Sequence, residues 1–213
     1  MTPEPEHVLL DLSGYQDREA ALALAAFGCP TEYTALAKKH LAGQADITTG
    51  YMLFCSFVSR MRGLHEGVIR EIAHNNPHAA FPLTRAWVEA IAIGLYLLRK
   101  PGYVEQILHG PGDNRPARKS FESMFHAVRE DAAQLKLVYR ELSDYSHFGT
   151  LGVWSAHSIE SEQNGTFTWT DAPRWKSETE SQIACAQANE LAVAGLHTLD
   201  RLGCLLVPRT AQT

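Results

Sequence analysis

Residues 79–99, AAFPLTRAWVEAIAIGLYLLR, decide the architecture. Wound at about 100° per residue, Phe81, Leu83, Trp87, Val88, Ile91, Ile93, Leu95, Tyr96, Leu97 and Leu98 cover nearly the whole circumference of a helix. A helix at a protein surface carries one apolar stripe and one polar face. This one has apolar residues almost all round, so it is expected at the centre, with other helices against it. Its most apolar part, Ala86 to Leu98, also holds Glu89 and falls short of the roughly 20 apolar residues that cross a bilayer, so it reads as a buried helix.

Working outward, the preceding helix starts at a Thr48 or Thr49 cap. It carries Met52, Cys55, Val58, Met61, Leu64, Val68, Ile69 and Ile72 at three- and four-residue spacing, and breaks at Asn75-Asn76-Pro77. Two short helices come before it, Asp17 to Phe27, stopped by Gly28 and Pro30, and Thr31 to Leu41, stopped at Gly43. On the other side Pro101-Gly102 ends the central helix, and a short helical piece runs from Tyr103 to Leu108. The stretch from Gly110 to Pro116 is then a loop. Arg118 to His126 and Val128 to Ser146 read as helices, and Glu178 to Leu206 as a long final one. Between Gly152 and Thr170 aromatic and β-branched residues surround Asn164-Gly165, the pattern of a β-hairpin. The expected fold is therefore mainly α, a compact helical bundle with one β-hairpin insertion before the last long helix. It forms a single domain over 1–213, with 1–14 and 208–213 flexible.

Composition agrees with one ordinary globular domain: 213 residues, 45% hydrophobic and 20% charged. A formal net charge of −5 excludes a broad cationic surface that would grip long nucleic acid through many phosphates. Cys29, Cys55, Cys185 and Cys204 form no C-x-x-C pair and sit among apolar neighbours, so buried thiols are expected. Met1 to Glu6 is acidic and proline-rich, without the basic-then-apolar pattern of a leader, which points to the cytoplasm. No metal site is expected. His74 and His78 are four apart, but Pro77 lies between them and no carboxylate or cysteine completes a set. No cofactor is expected either, since Gly110-Pro111-Gly112 lacks the strand and lysine of a phosphate-binding loop.

Two groups of residues are candidates for chemistry. Arg140, Ser143 and His147 stand at i, i+3 and i+7 of a predicted helix, and seven residues return to within about 20° of the starting direction, so all three share a face. Tyr139 and Asp144 flank it. An imidazole moves protons near neutral pH, and a guanidinium holds a phosphoryl or carboxylate group bidentately. The same residues also fit a plain helix end, with His147 favouring the dipole and Arg140 paired to an acid. The second group is Arg85 and Glu89, i and i+4 inside the apolar helix, where charges must pair. They make either a structural ion pair or the wall of a polar, ligand-binding cavity. Arg62, Glu66 and Arg70 form a ladder on the preceding helix, from which Arg62 or Glu66 is placed to reach the Arg85 pair if the two helices run antiparallel.

The segment from Arg140 to His147 resembles the arginine-x(4–6)-histidine motif of the HEPN superfamily, all-helical domains of bacterial toxins, abortive-infection proteins and RNA-processing nucleases. The chain also looks like a group of bacterial helical proteins with an Arg-x-x-x-Glu helix, here Arg85 to Glu89, and a later Tyr-x-x-Leu-Ser-x-x-x-His segment, here Tyr139 to His147. The first resemblance implies a metal-independent ribonuclease, usually a homodimer, in which Arg140 holds the scissile phosphate, His147 moves the proton and Ser143 orients the phosphate or a water. Glu141 departs from the Asn, Asp or His that many active members carry after the arginine. The competing expectation is a non-catalytic helical module that dimerises or binds a protein or small ligand through the Arg85 and Glu89 region.

Overall fold

A computed structural model describes residues 11–43, 46–109, 119–147, 157–161, 166–169 and 171–207. The protein is mainly helical: α1 (Arg18–Ala25), α2 (Thr31–Leu41), α3 (Thr49–Ala73), α4 (Pro77–Arg99), α5 (Val104–His109), α6 (Phe121–Ala127), α7 (Arg129–Ser146) and α8 (Glu178–Leu206). Single 3-10 turns precede α1 and α5.

Short polar side chains set where the helices begin. The Asp17 carboxylate accepts from the Ala20 amide, Thr48 from Tyr51, Asn76 from Ala79, Ser120 from Ser123 and Ser177 from Glu180. Each cap satisfies an amide that the first helical turn cannot pair internally, a contribution of about 1 kcal/mol. Between α3 and α4 the chain reverses in three residues, His74 to Asn76. Asn75 takes a positive φ of 59°, which ends α3 in the left-handed conformation asparagine tolerates, and Pro77 opens α4 where its missing N–H costs nothing.

α4 is the hub. α3, α6, α7 and α8 all pack on it, and Trp87, Val88, Ile91, Ala92 and Leu97 are fully buried. α7 runs antiparallel to α4. At α4's C-terminal end Arg99 donates to the Ala127 carbonyl and pairs with Glu130 and Asp131, while near its start Phe81 lies 4.3 Å from Tyr145, centroid to centroid. α8 runs parallel to α4: Trp175, just ahead of α8, sits edge-on to Phe81, and further along Gly94 faces Thr198 and Leu202. α8 also covers α1, α2 and α3. The bundle therefore closes around α4 on one side and α8 on the other.

The structure corrects two expectations here. The helix expected over residues 79–99 is α4, Pro77–Arg99, but where its most apolar part, Ala86 to Leu98, reads as too short to cross a bilayer, the whole helix is long and apolar enough by length and composition, with 61% of its most apolar window buried inside the protein. Of the thiols expected to be buried, Cys185 is, and the apolar surroundings push it up to about 11, but Cys29 and Cys55 are half-buried and Cys204 is exposed on the outer face of α8. Within the stretch from Gly152 to Thr170, β1 (His157–Ser161) and β2 (Thr166–Trp169) pair antiparallel, with a register irregularity between Ile159 and Ser161. The Asn164-Gly165 turn lies outside the described residues.

Candidate functional site

α7 carries the residues on which the functional question turns, and it presents two different flanks. One flank holds Arg140, Ser143 and His147. Arg140 and His147 are exposed and Ser143 is half-buried, its hydroxyl donating 2.7 Å to the Tyr139 carbonyl one turn back. His147 is the C-terminal cap residue of α7, its amide bonded to the Ser143 carbonyl. Arg140 lies close enough to Glu122 of α6 to help hold that carboxyl below its usual range, although the Lys136 ammonium bonded to Glu122 does most of this. The three share one side of the helix, as their spacing requires.

Arg85, Glu89 and Tyr139 do come together, at the seam of α4 and α7. Arg85 Nη2 lies 3.3 Å from both Glu89 Oε1 and the Tyr139 hydroxyl, to which it donates, and its guanidinium sits over the Tyr139 ring at 5.2 Å. The ring is held in turn by Phe121 and Phe125 of α6. Arg85 and Glu89 keep 19% and 21% of their side-chain surface, so the pair is sheltered without being sealed, and Arg85 Nε is buried with no partner among the described residues. Tyr139 joins the two groups, its hydroxyl to Arg85 and its carbonyl to Ser143.

Arg62 and Glu66 do not join that cluster. They bond each other at 2.7 Å and are 43% and 47% exposed, a solvated i, i+4 pair. Their face of α3 turns toward Cys29, whose thiol is raised first by burial and then by Glu66. The α3–α4 seam is filled by Leu83 against Gly67. His74 and His78 do not share a helix: His74 caps the end of α3, with Nδ1 donating to the Arg70 carbonyl, and His78 follows Pro77 in the first turn of α4. Among the described residues no group of three or more His, Cys, Asp or Glu side chains is placed to hold a metal ion.

The other flank of α7 borders a groove of about 1000 Å³ between α7 and α8. Both helices pack on α4 and diverge from a joint where the Tyr145 hydroxyl donates to Glu180. Burial, reinforced by Glu180, pushes that phenol up to about 12, so at neutral pH it remains a donor. Its apolar lining is half-buried Leu135 and Val138 on one wall and Ile183 and Ala194 on the other, with Leu95 of α4 almost covered at the bottom and Ile91 fully buried beneath. Val138 and Glu141 point roughly 150° around α7 from the Arg140 flank, so the groove and the arginine–histidine stripe face opposite ways.

A third feature escaped the sequence. His65 of α3 is fully buried, stacked on Trp87 at 4.4 Å and edge-on to Tyr33. Its Nε2 donates 2.6 Å to the Ala25 carbonyl, which fixes the neutral ring with Nδ1 as acceptor. Nδ1, the Tyr33 hydroxyl and Trp87 Nε1 are all buried without partners among the described residues. The signal was present: Met61, His65, Val68 and Ile72 repeat at the spacing of an inward stripe, with an imidazole in an apolar position.

Comparison with known proteins gives no match to a family model, to a curated protein or to a solved structure.

Proposed function

We propose that this chain is a helical binding module, and that the α7–α8 groove is where it binds. The observation that carries this reading is the groove itself: half-buried apolar walls of Leu135, Val138, Ile183 and Ala194 above the most buried helix of the bundle, left open among the described residues where α7 and α8 diverge from the Tyr145–Glu180 joint. Apolar linings with polar rims are the usual form of ligand and partner sites. The Arg85–Glu89–Tyr139 cluster supports it from the far side of α7, by pinning that helix to α4 and so fixing the groove wall. In this reading the stretch from Gly152 to Thr170 is a hairpin inserted in the chain between α7 and α8.

The test is a plug. Ala194, half-buried on the α8 wall, replaced by Trp fills the groove without displacing a core side chain. The neutral dye Nile red should bind the wild-type protein saturably and should lose that binding in Ala194→Trp, with the helical circular dichroism unchanged. Equal binding by both proteins would sink the groove as a site.

A second reading, metal-independent RNA cleavage, is favoured by one observation: Arg140 and His147 are both exposed on one side of α7, in reach of a phosphodiester. Against it stands the acidity of the chain.

A further inference from the structure

Resting on the binding-module reading, we infer that the occupant of the groove is the apolar face of a cationic amphipathic helix carried by a protein partner. Size comes first. A helix about 10 Å across takes up roughly 400 Å³ per turn, so the groove holds a little over two turns. α7 and α8 already lie against α4 as two walls, and a helix laid between them would complete the packing with Ile91 and Leu95 beneath it.

Charge then selects among helices. The lining carries five carboxylates, Asp11, Glu130, Asp131, Glu141 and Glu190, against the single guanidinium of Arg201 and the imidazole of His197. Glu130 and Asp131 share Arg99. Glu141 on the α7 wall and Glu190 on the α8 wall are exposed and make no hydrogen bond or ion pair to a described residue. An apolar stripe flanked on both sides by Lys or Arg would set its cations against these two walls while its Leu or Ile side chains reach the apolar lining. A nucleic acid would be repelled, because each of its phosphates meets a carboxylate. So would an anionic lipid surface, by the same sign of charge. An acidic or neutral helix would cover the apolar walls but leave the rim uncompensated.

The test uses the full chain and two synthetic peptides of about 18 residues, both with Leu at helical i, i+3, i+4 spacing, one with Lys and one with Glu at every other position. Fluorescence anisotropy should show the Lys peptide binding roughly tenfold or more tighter than the Glu peptide at low salt, with the preference shrinking as salt rises. The pair Glu141→Lys and Glu190→Lys, both exposed, should cost the Lys peptide at least about tenfold and flatten its salt dependence. Ala194→Trp, with Val138→Trp on the opposite wall as a second plug should the first fail to fold, should abolish binding. If the charge reversals leave the Lys peptide's Kd unchanged while a plug still blocks it, the cationic occupant is wrong and the groove stands. If neither plug matters, the binding-module reading falls as well. Sedimentation showing a dimer that either plug converts to monomer would put a second copy of this chain in the groove and overturn the inference.

Discussion

Arg85 and Arg140 differ in what their loss should do, although both were candidates for chemistry. Arg85→Ala strips Glu89 of the one cation paired with it among the described residues, at a seam where both keep about a fifth of their surface, and removes the guanidinium over the Tyr139 ring. A fully buried pair broken this way costs about 3–5 kcal/mol; the remaining exposure brings the expected loss to about 1–3 kcal/mol. Arg140→Ala should change stability by less than about 0.5 kcal/mol, as surface substitutions do. Urea denaturation of the two variants checks the order, and equal midpoints would mean that the Arg85 cluster does not hold α7 in place. His65 makes a pH prediction. Burial lowers its pKa, with the Ala25 hydrogen bond opposing, so the unfolded chain takes up the proton first as pH falls. Stability from the neutral ring is complete above the free imidazole value of about 6.5 and is lost as pH drops below it. Thermal midpoints should therefore decline from pH 7.5 toward pH 5, a window above the one in which the carboxylates of Asp200 and Glu71, held low by Lys39 and Arg70, begin to titrate. His65→Gln, which keeps a donor for Ala25, should flatten that decline; an unchanged slope would show that another group is responsible.

At the scale of helices, α4 and α8 approach closely because each offers a glycine to the other. A Cβ on Gly94 would stand 2.7 Å from Thr198 Cγ2 and 3.1 Å from Leu202 Cδ1, both side chains buried and the threonine stiff at its branch. At Gly195 the nearest atom, Trp87 Nε1, is 3.4 Å away, an ordinary contact. Gly94→Ala should thus destabilise by about 1–3 kcal/mol through overpacking, whereas Gly195→Ala should be neutral or gain up to about 1 kcal/mol from helix propensity. Calorimetry of the two variants separates the effects, and equal losses would contradict the crossing geometry. The sequence could not distinguish these glycines, since each looks like a helix interior flaw until its neighbour across the interface is known. It did reveal the helices themselves. The periodicity of α3 and α8 and the saturation of α4 with apolar side chains are local properties, and the caps at Asp17 and Thr48 are local hydrogen bonds, so one-dimensional patterns carry them. Where Arg62 and Glu66 point is not local: their spacing is the same whether α3 turns that face to α4 or to Cys29.

For the molecule as a whole, the groove was the least legible feature. No residue in its lining marks a cavity in one dimension, and the groove lies between two helices far apart in sequence that both pack on α4. The stripe of Arg140, Ser143 and His147 was the reverse case, plain in sequence and formed as its spacing demands, yet on the flank of α7 that faces away from the groove. RNA cleavage by that stripe has a direct assay. Single-stranded RNA incubated with the protein and a chelator should be cut to 2′,3′-cyclic phosphate ends, and His147→Ala or Arg140→Ala should lower the rate, the proton transfer alone by about 10²–10⁴-fold. RNA left intact by the wild-type protein, or variants that cut as fast as it does, would remove the nuclease reading and leave binding alone.

The long reach of α8 has a further consequence, in the order of events during synthesis. Leu199 and Leu202 of this helix lie against a core otherwise built from residues made far earlier, and α8 touches α1 and α2, more than a hundred residues upstream. While the ribosome is still adding the stretch before Glu178, α1 to α7 have emerged with Trp87 facing no Gly195 and Gly94 facing no Leu202. Local helices form within microseconds, but the nascent chain must carry an apolar seam in the open for seconds, at about 5–20 residues added per second. For this bundle the hazardous interval is therefore set by translation and not by folding.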